Sequence, residues 1–191
     1  MRLIILFFVI AILTSCADRP RPGNALSEVT TLAGLGREFG EPFGLACRGE
    51  DIYVSDGNKG TISIIRSTGQ IDTFVSGLNT PSGIAFDSAG TLYVADTGSN
   101  TIKVIDRNGK VSLAAGAENM RGMQDGPASS ALFNGPVGIA IDANDRIVVA
   151  DTYNDRIRVI ENGTVRTLAG GPRGSADGPG ISALFDAPLG L

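Results

Sequence analysis

One short pattern returns along this chain and narrows its fold more than any other feature. Pro42-Phe43-Gly44-Leu45-Ala46-Cys47 lines up with Pro81-Ser82-Gly83-Ile84-Ala85-Phe86 and with Pro136-Val137-Gly138-Ile139-Ala140-Ile141; a further copy opens at Pro188-Leu189-Gly190-Leu191. A small unit that repeats in order cannot bury all its apolar surface alone, so it stacks on its copies. The chain is thereby restricted to a repeat architecture, and the elements inside each copy decide which one.

Each copy continues in the same order. A short turn leads to a second strand, Asp51–Asp56, Thr91–Asp96 or Arg146–Asp151. A third strand follows with apolar residues at alternate positions: Ile62/Ile64, Ile102/Val104, Ile157/Val159. That is the period of a strand whose two faces differ. Thr68-Gly69, Asn108-Gly109 and Asn162-Gly163 read as two-residue hairpin loops, the Asn-Gly pairs supplying the positive φ of a type I′ turn. A fourth strand comes after each loop, at 71–75, 111–115 and 165–169. Asn162-Gly163-Thr164 also spells a glycosylation sequon, but its place in a repeated hairpin favours the turn. The 26 glycines in 191 residues, against about 7% in an average protein, fit this density of turns. The expected fold class is all-β, a β-propeller of four-stranded antiparallel blades at about 41–76, 80–116 and 135–170. Radial stacking buries both faces of each sheet.

These residues resemble the NHL repeat family of propellers over roughly residues 29–191. The resemblance rests on the Pro-x-Gly openings, the strands ending in Asp56, Asp96 and Asp151, and the Asp-Thr turn Asp151-Thr152-Tyr153-Asn154-Asp155-Arg156-Ile157. The first repeat departs most, with Gly57 where the others have Thr97 and Thr152. Val29-Thr30-Thr31-Leu32-Ala33-Gly34 matches the fourth-strand segment Val165-Arg166-Thr167-Leu168-Ala169-Gly170, so 29–34 reads as an outer strand for a last blade, and 187–191 as the start of a next blade. Propellers close at about 4–8 blades, and the resemblance implies about six. Three blades plus one strand are expected to be an incomplete ring: a truncated chain, or one that a second chain completes.

The links between units repeat too. Asp125-Gly126-Pro127 precedes Ala131-Leu132-Phe133 as Asp177-Gly178-Pro179 precedes Ala183-Leu184-Phe185. Phe39, Leu78, Phe133 and Phe185 hold the same place before each opening proline and read as apolar plugs between blades, in preference to ligand contacts.

The chain begins with Met1-Arg2, an apolar run from Leu3 to Leu13, and Leu13-Thr14-Ser15-Cys16. A positive start and a run too short for a membrane span describe an export signal. The segment resembles a bacterial lipoprotein signal: 1–15 would be removed, Cys16 lipidated, and 16–28 would serve as tether. The other reading is an ordinary secretory signal with an incidental cysteine. Lipidation anchors a protein to a membrane without spanning it. The location implied is the cell envelope, with Ala17 after the cysteine leaning toward the outer membrane of a Gram-negative cell. Acylation of Cys16 would use one of the two thiols, so no structural disulfide is expected, and Cys47 reads as a small buried hydrophobe.

Chemistry is sparse in the sequence. With no histidine, Ser-His-Asp triads and His-ligated zinc are excluded from this chain. Asp56, Asp96 and Asp151 recur once per blade and read as structural turn residues, because a feature of every blade serves the blade. Glycine-rich segments at 34–40 and 170–174 lack the spacing or the Lys-Ser/Thr of nucleotide loops. The net charge of −4 argues against a nucleic-acid partner. No catalytic, metal or cofactor residue is assigned. The function expected is a membrane-anchored binding or scaffold module that presents a propeller face to a protein or glycan. The alternative is a metal-dependent hydrolase or lyase, similar to gluconolactonase-like propellers, with a divalent cation and site residues partly in further blades.

Overall fold

A computed structural model describes residues 31–34, 36 and 38–191. The expected leader, Cys16 and the tether at 16–28 lie outside the described residues. Strands β1 (Pro42–Arg48), β2 (Asp51–Asp56), β3 (Thr61–Ile65) and β4 (Ile71–Ser76) form the first blade. The second holds β5 (Pro81–Phe86), β6 (Leu92–Asp96), β7 (Thr101–Ile105) and β8 (Val111–Ala115). After a two-residue strand β9 (Gly126–Pro127), the third holds β10 (Pro136–Ile141), β11 (Ile147–Asp151), β12 (Arg156–Glu161) and β13 (Thr164–Gly170). Each blade is an antiparallel meander, and the architecture is that of an all-β propeller.

The core lies between blades. Tyr53, Ile62, Ile64 and Val75 of blade 1 pack on Ile84, Leu92, Val94 and Ile105 of blade 2. Ala95, Ile102 and Ala115 of blade 2 pack with Phe133, Ile139, Ile147 and Val149. Each aliphatic side chain fully buried in this way contributes about 1.5–3 kcal/mol, which no blade could gain by itself.

The Pro-x-Gly glycines make this stacking close. A Cβ on Gly83 would sit 2.5 Å from the Val137 carbonyl and 2.9 Å from the Ile139 nitrogen, both in the neighbouring blade. Gly44 meets the Ser82 carbonyl and Gly138 the Leu189 carbonyl in the same way. These glycines therefore serve backbone-to-backbone contact of the inner strands, a packing role rather than a turn role. A bulge falls just after each opening proline, and another between the third and fourth strands, in all three blades.

Four expectations are corrected. Only Asn162-Gly163 is a two-residue loop with positive φ at both residues (49° and 70°), flanked by the pair Glu161–Thr164. At the other two hairpins Gly69 N–H donates to the Arg66 carbonyl and Gly109 N–H to the Asp106 carbonyl, and only the glycine has positive φ. These are three-residue loops ending in a glycine bulge, because Thr68 and Asn108 keep ordinary φ. Blade 3 has a fifth strand, since β9 from the inter-blade link pairs with β13. Residues 31–34, the described part of the expected outer strand, form no strand; a strand needs a partner ladder, and each blade among the described residues already has its own fourth strand. Cys47 is half-buried on β1 and disulfide-bonded, where the sequence reading had assigned the second thiol to acylation.

Candidate functional site

The β2–β3, β6–β7 and β11–β12 turns and the segments leading into each first strand share one face of the molecule. Its framework rests on the three repeated aspartates. Asp56 accepts the N–H of Gly40 at 2.5 Å, Asp96 that of Asn79 at 2.7 Å and Asp151 that of Asn134 at 2.8 Å. Gly40, Asn79 and Asn134 directly follow Phe39, Leu78 and Phe133 in the chain. Each carboxylate thus staples the end of a plug segment to its own blade, across more than a dozen residues. The turn role read from sequence covers only part of this. Asp56 also accepts the N–H of Lys59 at 3.0 Å, while Asp151 accepts from the Asn154 side-chain amide at 2.8 Å.

The three carboxyls differ electrostatically although their positions repeat. Burial works to raise Asp56, but bonds from the N–H groups of Glu41, Gly40 and Lys59 outweigh it and hold the group below the ordinary carboxylate range. Asp96 and Asp151 are raised. Burial dominates in both, against the N–H groups of Asn79 and Asn134 and, for Asp151, the Arg158 guanidinium. Asp96 and Asp151 lie deeper, so that desolvation outweighs their donors, whereas at the shallower Asp56 three backbone N–H groups outweigh it.

Threonine after the aspartate joins neighbouring blades. Thr97 Oγ1 donates to the Pro136 carbonyl at 2.6 Å and Thr152 Oγ1 to the Pro188 carbonyl at 2.8 Å. Blade 1 has Gly57 at this place, and Ser55 Oγ donates to the Ser82 carbonyl at 2.5 Å instead. The Asp-Thr pair therefore fastens first the blade's own lead-in and then the next blade.

The plug residues sit against the glycines that end fourth-strand segments. Phe133 is wholly buried beside Gly116; Phe185 lies beside Gly170 and Phe39 beside Gly34, both half-buried. Leu78 is half-buried and packs with the blade 1–blade 2 core.

Arg158 breaks the repetition. It is wholly buried where blades 1 and 2 carry Ser63 and Lys103. Its guanidinium donates to Asp151 at 2.8 Å, to Asp125 at 2.6 Å, and to the carbonyls of Leu132 at 3.1 Å and Gln124 at 3.0 Å. It also stands over the Phe133 ring, 5.1 Å from the centroid. One cation thus organises the long link that carries Asp125-Gly126-Pro127. The sequence reading missed it by following what the copies share; the signal lay in one position that reads Ser, Lys, Arg down the copies.

On this same face a polar recess of about 350 Å³ lies at the boundary of blades 1 and 2, between Glu41, Asn58, Lys59, Asn79 and Thr80. It offers amide, hydroxyl, carboxylate and ammonium groups within one small surface. Among the described residues no three His, Cys, Asp or Glu side chains gather as a metal-holding group. Cys16 is outside the described residues.

Comparison with known proteins places the repeats. Residues 78–105 and 133–160 match the NHL repeat as a sequence family, so the chain carries NHL repeats. It is 43% identical over 93 residues to NHL repeat-containing protein 2 of Gallus gallus, covering 47% of this chain and 12% of that protein. Among solved structures it is similar to a protein of unknown function from Bacteroides thetaiotaomicron (TM-score 0.70, 23% identity, 78% of this chain and 41% of that one). An auxiliary nutrient binding protein from Bacteroides ovatus gives a TM-score of 0.65 at 24% identity, over 78% of this chain and 42% of that one. A gluconolactonase from Xanthomonas campestris gives 0.59 at 16% identity, over 71% and 50%. The chain thus spans about two fifths to one half of these solved structures and about an eighth of the curated relative. At these identities the structural likenesses show the fold alone.

Proposed function

We propose that the protein is a binding module held at the bacterial cell envelope by a lipid on Cys16, a thioether that excludes a disulfide at the same sulfur in the lipidated protein, and that its NHL-repeat propeller presents the turn-bearing face to a glycan or protein. The observation that carries this reading is the division of labour on that face. The repeated carboxylates Asp56, Asp96 and Asp151 are committed to backbone and framework partners, while the polar recess between Asn58 and Thr80 stays open to solvent. A surface whose buried acids hold the frame and whose open polar groups face outward is suited to recognition.

Two experiments test it. Palmitate labelling of cells expressing the full chain should be lost on Cys16→Ser; persistent labelling would remove the anchor from the proposal. A glycan and envelope-protein array probed with the full-length protein should give hits that Asn58→Ala with Asn79→Ala weakens. Turnover of a sugar lactone that stops on chelation with EDTA would replace the binding reading with the metal-dependent hydrolase.

A further inference from the structure

The junction between blades 2 and 3 leaves open a space that the molecule fills one junction earlier. The extra residue in the bulge of each fourth strand is Phe74 in blade 1 and Ala114 in blade 2. A bulge re-aims its side chain out of the pleat. The Phe74 ring meets Tyr53 edge-on, 5.4 Å between centroids, and its Cε2 lies 3.7 Å from where a Cβ on Gly109 would sit, in the β7–β8 hairpin of the next blade. With Ala114 in that place, a cleft of about 400 Å³ runs from Tyr93, the counterpart of Tyr53, to Gly163, the counterpart of Gly109. Ile147 and Ile160 form its apolar floor, and Asp145 and Glu161 stand among its polar lining. Tyr53 is wholly covered whereas Tyr93 is half-buried.

The cleft lining is net acidic by one charge, Asp145 and Glu161 against Arg146, and Glu161 also faces Arg166 Nη2 at 3.6 Å. The Nε of Arg146 is tied to Asp142 at 2.6 Å. Asp145 accepts the N–H of Ser88 at 2.8 Å and its hydroxyl at 2.5 Å, which leaves lone pairs on both oxygens for a further donor. Burial raises the Tyr93 hydroxyl, and the negative charges of Asp87 and Asp145 raise it further, so both carboxylates bear on the ring.

We propose that this cleft is a binding site for an aromatic ring that carries a positive charge nearby. The ring takes the place Phe74 takes at the earlier junction, edge-on to Tyr93, and the cation faces Asp145 and Glu161. Edge-to-face aromatic contact and the acidic rim supply the two halves of recognition. The site is independent of the lipid anchor and of the polar recess, and it stands or falls without them.

The full-length protein labelled with 3-fluorotyrosine carries three tyrosines, whose fluorine resonances are assigned by Tyr→Phe substitution. Titration with 2-phenylethylammonium should shift the Tyr93 resonance and leave Tyr53 unmoved. 3-Phenylpropionate, with a similar ring and the opposite charge, should bind about tenfold more weakly or worse. Ala114→Phe should abolish the shift by refilling the space. Should that variant fail to fold, Asp145→Asn with Glu161→Gln should weaken the amine about tenfold while leaving the ring seat intact. N-acetyl-Phe-Arg-amide distinguishes the source: tighter binding than the free amine marks a peptide ligand, weaker binding a small aromatic amine. An unmoved Tyr93, equal affinity for the propionate, undiminished binding in folded Ala114→Phe, or a shift produced by methyl glucoside in place of the amine would each overturn the proposal.

Discussion

The two blade junctions are built from the same repeat and sealed by different means. Between blades 1 and 2, Tyr53 sits edge-on to Phe74 and Phe86, and Arg48 covers both Tyr53 and Phe86 at 5.1 and 5.2 Å from the ring centroids. Arg48 also donates to the Tyr53 hydroxyl at 2.5 Å and to the Gly90 carbonyl at 3.2 Å. Between blades 2 and 3 the aromatic partners become Ala114 and Ile141, Asp87 stands in the Arg48 position, and Tyr93 borders an open cleft. There the weight passes to the long link, where Phe133 and Arg158 close the interface from the other side. One junction gains order from ring packing, the other from a buried ion network that leaves room for a ligand.

The largest effect should come from Arg158→Ala. It strands Asp151 and the carbonyls of Leu132 and Gln124, and removing one partner of a buried pair costs about 3–5 kcal/mol. Denaturant midpoints would show it, and hydrogen exchange should place the loss at the 117–134 link. A variant that melts like the parent would make the network dispensable. Phe74→Ala turns the first junction into a likeness of the second and should cost about 2–4 kcal/mol, with Tyr53 becoming accessible to iodination. Gly83→Ala, pressed against the Val137 carbonyl, should cost about 1–3 kcal/mol by forcing blades 2 and 3 apart. The same change at Gly57, where φ is ordinary and the nearest atom to an added Cβ lies 3.5 Å away, should be nearly silent in the same melts.

The smallest effect separates the framework carboxyls by pH. Asp56 is held below the ordinary value of 3.8, so its contribution is present above that value and is lost as pH falls through its depressed folded value. Asp96 is held above 3.8, so its contribution is complete below that value and is lost as pH rises through its raised folded value. Relative to the parent, Asp96→Asn should therefore compare less and less well as the solution is made mildly acidic. Asp56→Asn should compare better at stronger acidity. Parallel stability curves from urea melts across this range would remove the distinction.

Much of the frame was legible in the sequence because it repeats. The four-stranded antiparallel order and the equivalence of Asp56, Asp96 and Asp151 along the copies follow from aligning them. The bonding partners of those aspartates were not legible, since Gly40, Asn79 and Asn134 come close only when each blade folds back on its lead-in. The hairpin loops were misread for a local reason: a glycine signals positive φ, but the residue before it decides between a two-residue turn and a three-residue bulged loop. The cleft was hidden in a difference between copies, Phe74 against Ala114, that means nothing until a bulge turns both side chains toward the next blade.

By itself the sequence determined the repeating antiparallel unit and its need for neighbours, because strand period and turn chemistry are local properties of the chain. Only the tertiary structure decided what each blade does at its boundary. The closeness of inner strands at Gly44, Gly83 and Gly138, the burial of Arg158 and the open space beside Tyr93 depend on distances between residues of different blades. Those distances are set by packing and not by adjacency along the chain.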